Sequence, residues 1–278
     1  MRYFIFNCSV LIFLFLANSV MAQNTVLSGL VVSSDEKPIS YVNIGIKNKK
    51  LGAVTNQNGL FKIKIPDSLK NEMLIFSCVG FESITLKISS LLLEKKIRIY
   101  LEKRIIAIPE ITFKDRKIKP YQVGIKGRTP LIYAPSKSYN NNDIIEQARI
   151  FKINEPVKIL NANIFLSYAN TDSIKLRLNF YNLLNDFPNE RLIHKSIIKT
   201  FISKEGWLTF DLNKDDIYIN ENFAVSFEFL PEMKENLKIP TMVYGAKLGA
   251  SNSFIRLGSQ AKWNKNELGG ASIFLTVE

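Results

Sequence analysis

The chain has 278 residues, a formal net charge of +12 at pH 7, two cysteines and one histidine. That length is sufficient for two domains, each with its own hydrophobic core. The lysines are scattered rather than collected into one tract, which disfavours a nucleic-acid-binding protein. A single histidine, His194, excludes a two-histidine zinc site, and the sequence predicts neither a metal site nor a cofactor.

The first residues have the pattern of an export signal. Arg2 supplies a positive charge, residues 3–16 are almost wholly apolar, and small residues precede Gln23. The apolar run is shorter than the about 20 residues of a membrane span. We therefore predict a signal peptide at residues 1–22, cleaved after Ala22, and an exported protein without a transmembrane span. Such a protein is periplasmic or associated with the outer membrane or cell surface. An uncleaved N-terminal anchor is the alternative.

Short alternating segments separated by glycines follow the signal peptide. Residues 60–66 alternate apolar residues with lysines, the pattern of a half-buried strand. Asn56 can form a side-chain-to-backbone turn, and Gly59 can adopt a positive φ at no steric cost. The predicted structural turns are at Gly52, Asn56, Gly59 and Gly80.

The spacing of these segments matches a known family. It is carried by Gly29, Lys37, Pro38, Gly52, Thr55, Asn56, Gly59, Phe61, Gly80 and Phe81. This arrangement resembles the carboxypeptidase-regulatory-like (CarboxypepD_reg-like) domain of Bacteroidetes envelope proteins. The resemblance implies a seven-stranded Ig-like or prealbumin-like β-sandwich at residues 23–104. It does not imply peptidase activity, because the zinc ligands of that enzyme belong to a separate catalytic domain. Where the family usually has aspartate, Asn56 lacks the carboxylate that a cation would need.

The rest of the chain falls into a connection and a second set of strands. Residues 105–142 are rich in Lys, Pro, Gly, Ser and Asn, and we predict that they link two domains. Strand signals return afterwards, with clear alternation in residues 175–180, 208–212 and 223–229. About eight or nine strands without a long helix predict a second antiparallel, jelly-roll-like β-sandwich at residues 143–278.

Aromatic residues of the second sandwich point to ligand binding. Sugar-binding sandwiches commonly stack a ring on the face of a pyranose. Trp207 precedes the alternating residues 208–212 and should point away from their core, and Trp263 lies in a polar stretch. We interpret the protein as a non-enzymatic binding or interaction module for a glycan or an envelope protein. The candidate ligand-binding residues are Trp207, Trp263, Tyr181 and Tyr244.

Two alternative functions stay open. The protein could be a purely structural or assembly component at the outer membrane, with both tryptophans capping sandwich ends. It could also be a glycoside-active enzyme, which needs two carboxylates about 5–10 Å apart. The candidate carboxylates are Glu205, Asp211, Asp215, Asp216, Glu228 and Glu232, and solvent exposure is the simpler interpretation for most of them. Asp211, Asp215 and Asp216 could instead hold a structural calcium ion.

Overall fold

The computed structural model describes residues 24–104, 119–137, 142–231 and 241–278. The predicted signal peptide, much of the predicted linker and Glu232 lie outside these ranges. No helix in the described part of the chain is long and apolar enough to cross a membrane. The first seven strands are β1 (Asn24–Ser33), β2 (Asn43–Ile46), β3 (Gly52–Val54), β4 (Leu60–Pro66), β5 (Met73–Ser77), β6 (Ile84–Lys87) and β7 (Ile97–Leu101). A 3-10 turn at Asp67–Leu69 and a short helix, α1 (Ile88–Leu91), lie between them.

These strands form the first sandwich from two sheets. One sheet has the order β4-β1-β7 and the other β3-β2-β5-β6. Phe61 and Ile63 of β4 face Ile44 and Phe76 of the opposite sheet in one buried core. The lysines that alternate with Phe61 and Ile63 lie on the solvent side, as the period-2 pattern requires. The predicted seven-stranded Ig-like sandwich is confirmed.

The predicted turn residues have three different roles. The Asn56 side chain accepts hydrogen bonds from the backbone N–H groups of Asn58 at 2.9 Å and Leu60 at 3.0 Å. Gly59 has a φ of +72°, and Gly80 has a φ of +82°. Gly52 instead begins β3 without a positive φ, so its assignment as a turn is corrected. A Cβ atom there would lie 2.5 Å from a carboxylate oxygen of Asp143, so this glycine permits a close contact.

The remaining strands build the second sandwich. They are β8 (Tyr121–Gly124), β9 (Tyr133–Lys137), β10 (Ile145–Phe151), β11 (Val157–Ala169), β12 (Ser173–Leu184), β13 (Phe187–Arg191), β14 (Ile197–Ile202), β15 (Gly206–Asp211), β16 (Tyr218–Ile219), β17 (Phe223–Phe229), β18 (Thr241–Leu248), β19 (Ser253–Arg256), β20 (Asn264–Lys265), β21 (Gly269–Ala271) and β22 (Ile273–Val277). The seven-stranded sheet has the order β13-β12-β17-β10-β19-β20, and β14 also pairs with β12. The eight-stranded sheet has the order β21-β18-β11-β22-β8, with β15 and β16 on β11 and β9 on β18.

The two sheets of the second sandwich enclose one large apolar core. Ile164 and Leu275 of the eight-stranded sheet face Phe180 and Phe227 of the seven-stranded sheet. All strand pairs are antiparallel, and the chain changes sheet at each step from β10 to β11 and from β11 to β12. The predicted second antiparallel β-sandwich is therefore confirmed.

Two of its strands lie within the stretch that composition predicted to be a linker. β8 pairs with β22, and β9 pairs with β18. Within the described residues β9 has no second partner strand, so Pro135 can lie in it without costing a ladder hydrogen bond. The second sandwich thus includes residues before 143.

The sandwiches meet through the outer faces of two sheets. β2 is buried on both sides, with Ile44 in the first core and Asn43 facing the second sandwich. Backbone hydrogen bonds also cross, from Val54 N–H to the Asn142 carbonyl and from Asn48 N–H to the Gln260 carbonyl, both at 2.8 Å. We call this shared buried region the joint.

Candidate functional site

Four charged side chains form a row across the seven-stranded sheet, on the face that meets the first sandwich. Strand register places Arg177 of β12 opposite Glu228 of β17. Glu228 in turn lies opposite Glu146 of β10, and Glu146 lies opposite Arg256 of β19. They point outward because their strand neighbours, such as Phe227, fill the core. We call these four residues the charge row, with the order positive, negative, negative, positive.

Hydrogen bonds compensate every charge in this row. The Arg177 Nε donates to Glu228 Oε2 at 2.7 Å, and its Nη2 donates to Oε1 at 2.8 Å. Arg256 donates to Glu146 through Nε at 2.9 Å and also through Nη2. Asn179 bridges the two glutamates, since its amide donates to Glu146 at 3.1 Å and to Glu228 at 2.8 Å. The two neighbouring carboxylates therefore share a donor instead of facing each other unscreened.

The first sandwich completes the charge row. The Asn43 amide group donates to Glu228 Oε1 at 2.7 Å, and its oxygen accepts a bond from Arg177 Nη2 at 2.9 Å. Arg177 Nη1 also donates to the backbone carbonyl of Tyr41 at 2.9 Å. Arg177 and Glu228 are 1% and 0% exposed, so water cannot replace these bonds. The polar partners of this pair come from both sandwiches.

Protonation in the charge row is fixed by its own contacts. Burial alone would raise the pKa of Glu228, but the charge and hydrogen bonds of Arg177 hold that pKa well below its usual range. Burial alone would lower the pKa of Arg177. The charge of Glu228 outweighs this effect of burial, so the pKa of Arg177 lies above its ordinary value. Both side chains stay charged at any physiological pH. This pair is an ion pair and not a proton donor and acceptor.

A second carboxyl group, that of Asp143, lies at the edge of the joint. Its Oδ1 accepts hydrogen bonds from the Ser259 hydroxyl at 2.5 Å, from Ser259 N–H at 3.0 Å and from Ile144 N–H at 2.8 Å. Burial raises the pKa of Asp143 to about 6, although the bonds from Ser259 act in the other direction. The same Ser259 hydroxyl lies 3.3 Å from the carbonyl of Ala53 in the first sandwich. Asp143 therefore titrates within the physiological range and in contact with both sandwiches.

The opposite outer face, on the eight-stranded sheet, carries an aromatic cluster. Trp207 of β15 lies opposite Phe165 of β11, with the two ring centroids 5.3 Å apart and the rings nearly perpendicular. The indole also meets Phe274 of β22 at 4.8 Å, again edge to face. The Arg128 guanidinium lies 4.4 Å from the Phe165 ring centroid and forms an exposed ion pair with Glu205 at 2.8 Å. We call these five residues the Trp207 face.

The structure separates the four predicted ligand-binding residues. Trp207 points away from the core and is 37% exposed. Tyr181 and Trp263 lie together on the other sheet, with centroids 5.8 Å apart, and the Tyr181 hydroxyl donates to Glu146 at 2.8 Å. Tyr181 and Tyr244 are 2% and 1% exposed, so neither ring can stack on a ligand from solvent. The prediction that Tyr181 and Tyr244 are ligand-binding residues is therefore corrected, because both side chains are buried.

The predicted carboxylates are not gathered at one place. Glu228 is buried beneath the first sandwich and not exposed, which corrects its interpretation as a surface acid. Asp211 accepts bonds from Asn213, Asp215 pairs with Lys195 at 2.6 Å, and Asp216 pairs with Lys158 at 3.3 Å. Among the described residues, no group of three His, Cys, Asp or Glu side chains is arranged to hold a metal ion. The sequence did not point to Asn43, Glu146, Arg177 or Arg256 as members of a site. Their one signal is the placement of Glu146, Arg177 and Arg256 in strands rich in apolar residues.

Comparison with known proteins identifies the first sandwich. Residues 27–113 match the family model of the CarboxypepD_reg-like domain, and this part of the chain is a domain of that family. No curated protein matches the chain. A solved clostridial cysteine protease after propeptide cleavage aligns with a TM-score of 0.42 and 11% identity, over 94% of this chain and 72% of that one. The cysteine protease and lectin-like domains of a surface layer associated protein of Clostridium difficile align with a TM-score of 0.38 and 11% identity, over 94% and 59%. A structure of infectious bursal disease virus, Gx strain, aligns with a TM-score of 0.29 and 9% identity, over 91% of this chain and 63% of that one.

Proposed function

We propose that this protein, in which residues 27–113 are a CarboxypepD_reg-like domain, is an exported, non-catalytic binding protein for a glycan. The first sandwich supports the second through the joint, and the second holds the glycan on the Trp207 face. One observation carries the proposal. Trp207 keeps 37% of its surface exposed, whereas Tyr181 and Tyr244 are buried inside the protein.

The chemistry of the Trp207 face suits a sugar. The indole offers an apolar surface to pyranose C–H groups, and Phe165 and Phe274 fix its orientation from two sides. Arg128 and Glu205 beside it provide exposed donors and acceptors for hydroxyl groups. A stable protein interface buries about 800 Å² on each partner, which is more than one partly exposed ring can supply. This favours a glycan over a protein ligand.

The positions of the acids support a non-catalytic role. The neighbouring pair Glu146 and Glu228 is fully buried, and both carboxylates are bonded to arginines. Glu205 and Asp211 flank the two ends of β15, which places them about 20 Å apart at 3.3 Å per residue. Two glycosidase carboxylates are about 5–10 Å apart. Neither pair matches an exposed catalytic pair.

Binding to soluble polysaccharides tests the proposal. The mature protein would be run in native gels that contain neutral or acidic polysaccharides, and retardation would be measured against a gel without glycan. Trp207→Ala should weaken binding about 5- to 150-fold, which corresponds to the about 1–3 kcal/mol of an aromatic contact at a binding hot spot. The matched control is Tyr100→Ala, which removes a 47% exposed ring from the first sandwich and should change nothing. Equal retardation of wild type and Trp207→Ala would place the glycan elsewhere.

A purely structural role in the envelope is the second candidate. The extent of the joint favours it, because polar and backbone bonds from both sandwiches hold the molecule as one unit. Absence of retardation on every polysaccharide, together with recovery of a stoichiometric envelope protein on the immobilised mature chain, would favour this candidate over glycan binding.

A further inference from the structure

Three leucines of the second sandwich, two in loops and one at the end of β18, project into solvent. Leu131 and Leu268 are each 85% exposed, and Leu248 is 58% exposed. A single exposed leucine is ordinary in a soluble protein, whereas several on adjoining loops mark an interaction surface. We call these three residues the leucine rim.

Hydrogen bonds hold the three loops beside one another. Leu248 N–H donates to the Thr129 hydroxyl at 3.1 Å, two residues from Leu131. Gly249 N–H donates to the carbonyl of Leu268 at 2.9 Å, and β18 pairs Leu248 with Gly269. The leucines therefore project from one fixed cluster of loops, although they are far apart in sequence.

The charge of these loops is predominantly positive. The exposed side chains of Lys126 and Arg128 lie in these loops, and those of Lys247 and Lys265 lie at the adjoining ends of β18 and β20. Glu267 is the acidic residue of the same loops. Glu205, which comes immediately before the neighbouring β15, forms an ion pair with Arg128. Cations around projecting apolar side chains complement a surface that is negative outside and apolar beneath.

The rim lies away from the joint. Ala250 to Asn252 lead from Leu248 into Ser253 at the start of β19, which pairs with Arg149 of β10. The joint lies towards the other ends of these strands, where Ser259 bonds to Asp143 and also contacts the carbonyl of Ala53 in the first sandwich. Asp143 and Arg149 are about 20 Å apart at 3.3 Å per residue. The first sandwich therefore leaves the rim uncovered.

We infer that the leucine rim docks the protein onto an anionic phospholipid surface, with the three leucines entering the headgroup region. A protein partner would need a broad complementary area, whereas separate loop tips can enter a soft lipid surface individually. Lysine and arginine near the surface add attraction to anionic headgroups. This inference does not depend on glycan binding at the Trp207 face.

Vesicle cosedimentation tests the inference with the mature protein. Vesicles of phosphatidylcholine with about a third phosphatidylglycerol should bind the protein, and vesicles of pure phosphatidylcholine should bind it about tenfold less tightly or more weakly still. Each single change Leu131→Ser, Leu248→Ser or Leu268→Ser should weaken binding about tenfold, and the triple variant more than a hundredfold. Lys247→Glu should weaken it at least fivefold.

Matched controls make the outcome decisive. Leu93→Ser removes an equally exposed leucine, 85%, from the first sandwich and should leave vesicle binding unchanged. All variants should keep the wild-type melting temperature, because these side chains are exposed. Soluble glycerol phosphate at matched ionic strength should not displace the protein, and displacement would overturn insertion in favour of a phosphate site. The inference would also be overturned if the wild-type protein did not bind anionic vesicles. A wild-type dimer that the triple leucine variant abolishes would overturn it as well.

Discussion

The two outer faces of the second sandwich use the same strand alternation for opposite purposes. On the seven-stranded sheet, the Arg177–Glu228 pair of the charge row lies under the first sandwich, and each charge of the row has a bonded partner. On the eight-stranded sheet, Trp207 packs against two phenylalanines and keeps part of its ring in solvent. Directional bonds fix how two domains meet, whereas a rigid, partly exposed ring is free to accept a ligand. Residues that orient the two sandwiches and an aromatic ring that stays accessible to solvent therefore lie on opposite faces of the second sandwich.

The largest expected effect is in the charge row. Arg177→Met keeps an unbranched apolar stem but removes the guanidinium, and it leaves Glu228 buried without its main cation. The free energy of unfolding should fall by about 3–5 kcal/mol, as for one partner removed from a buried ion pair. Denaturant melts measure this change. The matched control, Arg98→Met, breaks an exposed pair with Glu36 and should cost less than about 1 kcal/mol. Equal losses in the two variants would contradict the importance of burial.

Asp143 should make the stability of the protein depend on pH. Its pKa rises from 3.8 in the unfolded chain to about 6 in the folded protein, chiefly through burial. Between these values the unfolded state loses the proton and the folded state keeps it, so stability falls as pH rises from about 4 to 6. The total loss is about 3 kcal/mol at about 1.4 kcal/mol per pKa unit.

Asp143→Asn isolates this effect from other titrating groups. The difference in unfolding free energy between wild type and variant should change by about 2 kcal/mol between pH 4 and pH 7, in favour of the variant at the higher pH. Equilibrium melts at several pH values would measure it. A pH-independent difference would contradict the prediction, because it would show that folding leaves the pKa of this carboxyl group unchanged.

A smaller effect is expected at the turn of the first sandwich. Gly59→Val places a β-branched residue at a φ of +72° and puts a Cβ 2.5 Å from the carbonyl oxygen of Val31. The free energy of unfolding should fall by about 1–3 kcal/mol. Gly127→Val is the matched control, since a Cβ there meets nothing within 4 Å. If the joint couples the sandwiches, calorimetry of Gly59→Val should show one shifted transition, whereas two separate transitions would contradict coupling.

The smallest stability effects, at the two tryptophans, test the comparison of faces directly. Trp263→Ala removes contacts with Tyr181 and with the Arg256 guanidinium, which lies 4.7 Å from the ring centroid, and Trp207→Ala removes two edge contacts. Each change should cost about 1–2 kcal/mol. Only Trp207→Ala should also weaken glycan binding. Binding loss in Trp263→Ala alone would move the ligand to the other sheet.

Sequence alone predicted the first sandwich well because its signals are local. A positive φ at Gly59 and the side-chain turn of Asn56 each depend on a few neighbouring residues. The second sandwich was predicted as a class but not at its start, because the proline and lysine composition of residues 119–137 looks like a connection. Proline is tolerated in an edge strand, so Pro135 can lie in β9. Composition therefore indicates a linker at a place where the backbone forms a strand.

The charge row could not be predicted for a different physical reason. Alternation with Phe227 and Phe229 shows that Glu228 points out of the core, but it does not show what lies outside. A second domain covers that face, and Asn43, the residue that completes the pair, is 185 positions away in sequence. The Trp207 face was partly predictable, since an outward tryptophan needs only alternation. Its partners Phe165, Phe274 and Arg128 are brought in by strand order.

The pairing of β8 with β22 has a consequence for biosynthesis. Val277 lies opposite Tyr121 across this pair, and β22 also lies against β11. A ribosome must therefore deliver residue 277 before the eight-stranded sheet can close, and until then β8 and β11 present open edges. Contacts so distant along the chain also form slowly. We expect that this sandwich closes only after residue 277 has been synthesised and that the earlier strands stay incompletely paired until then.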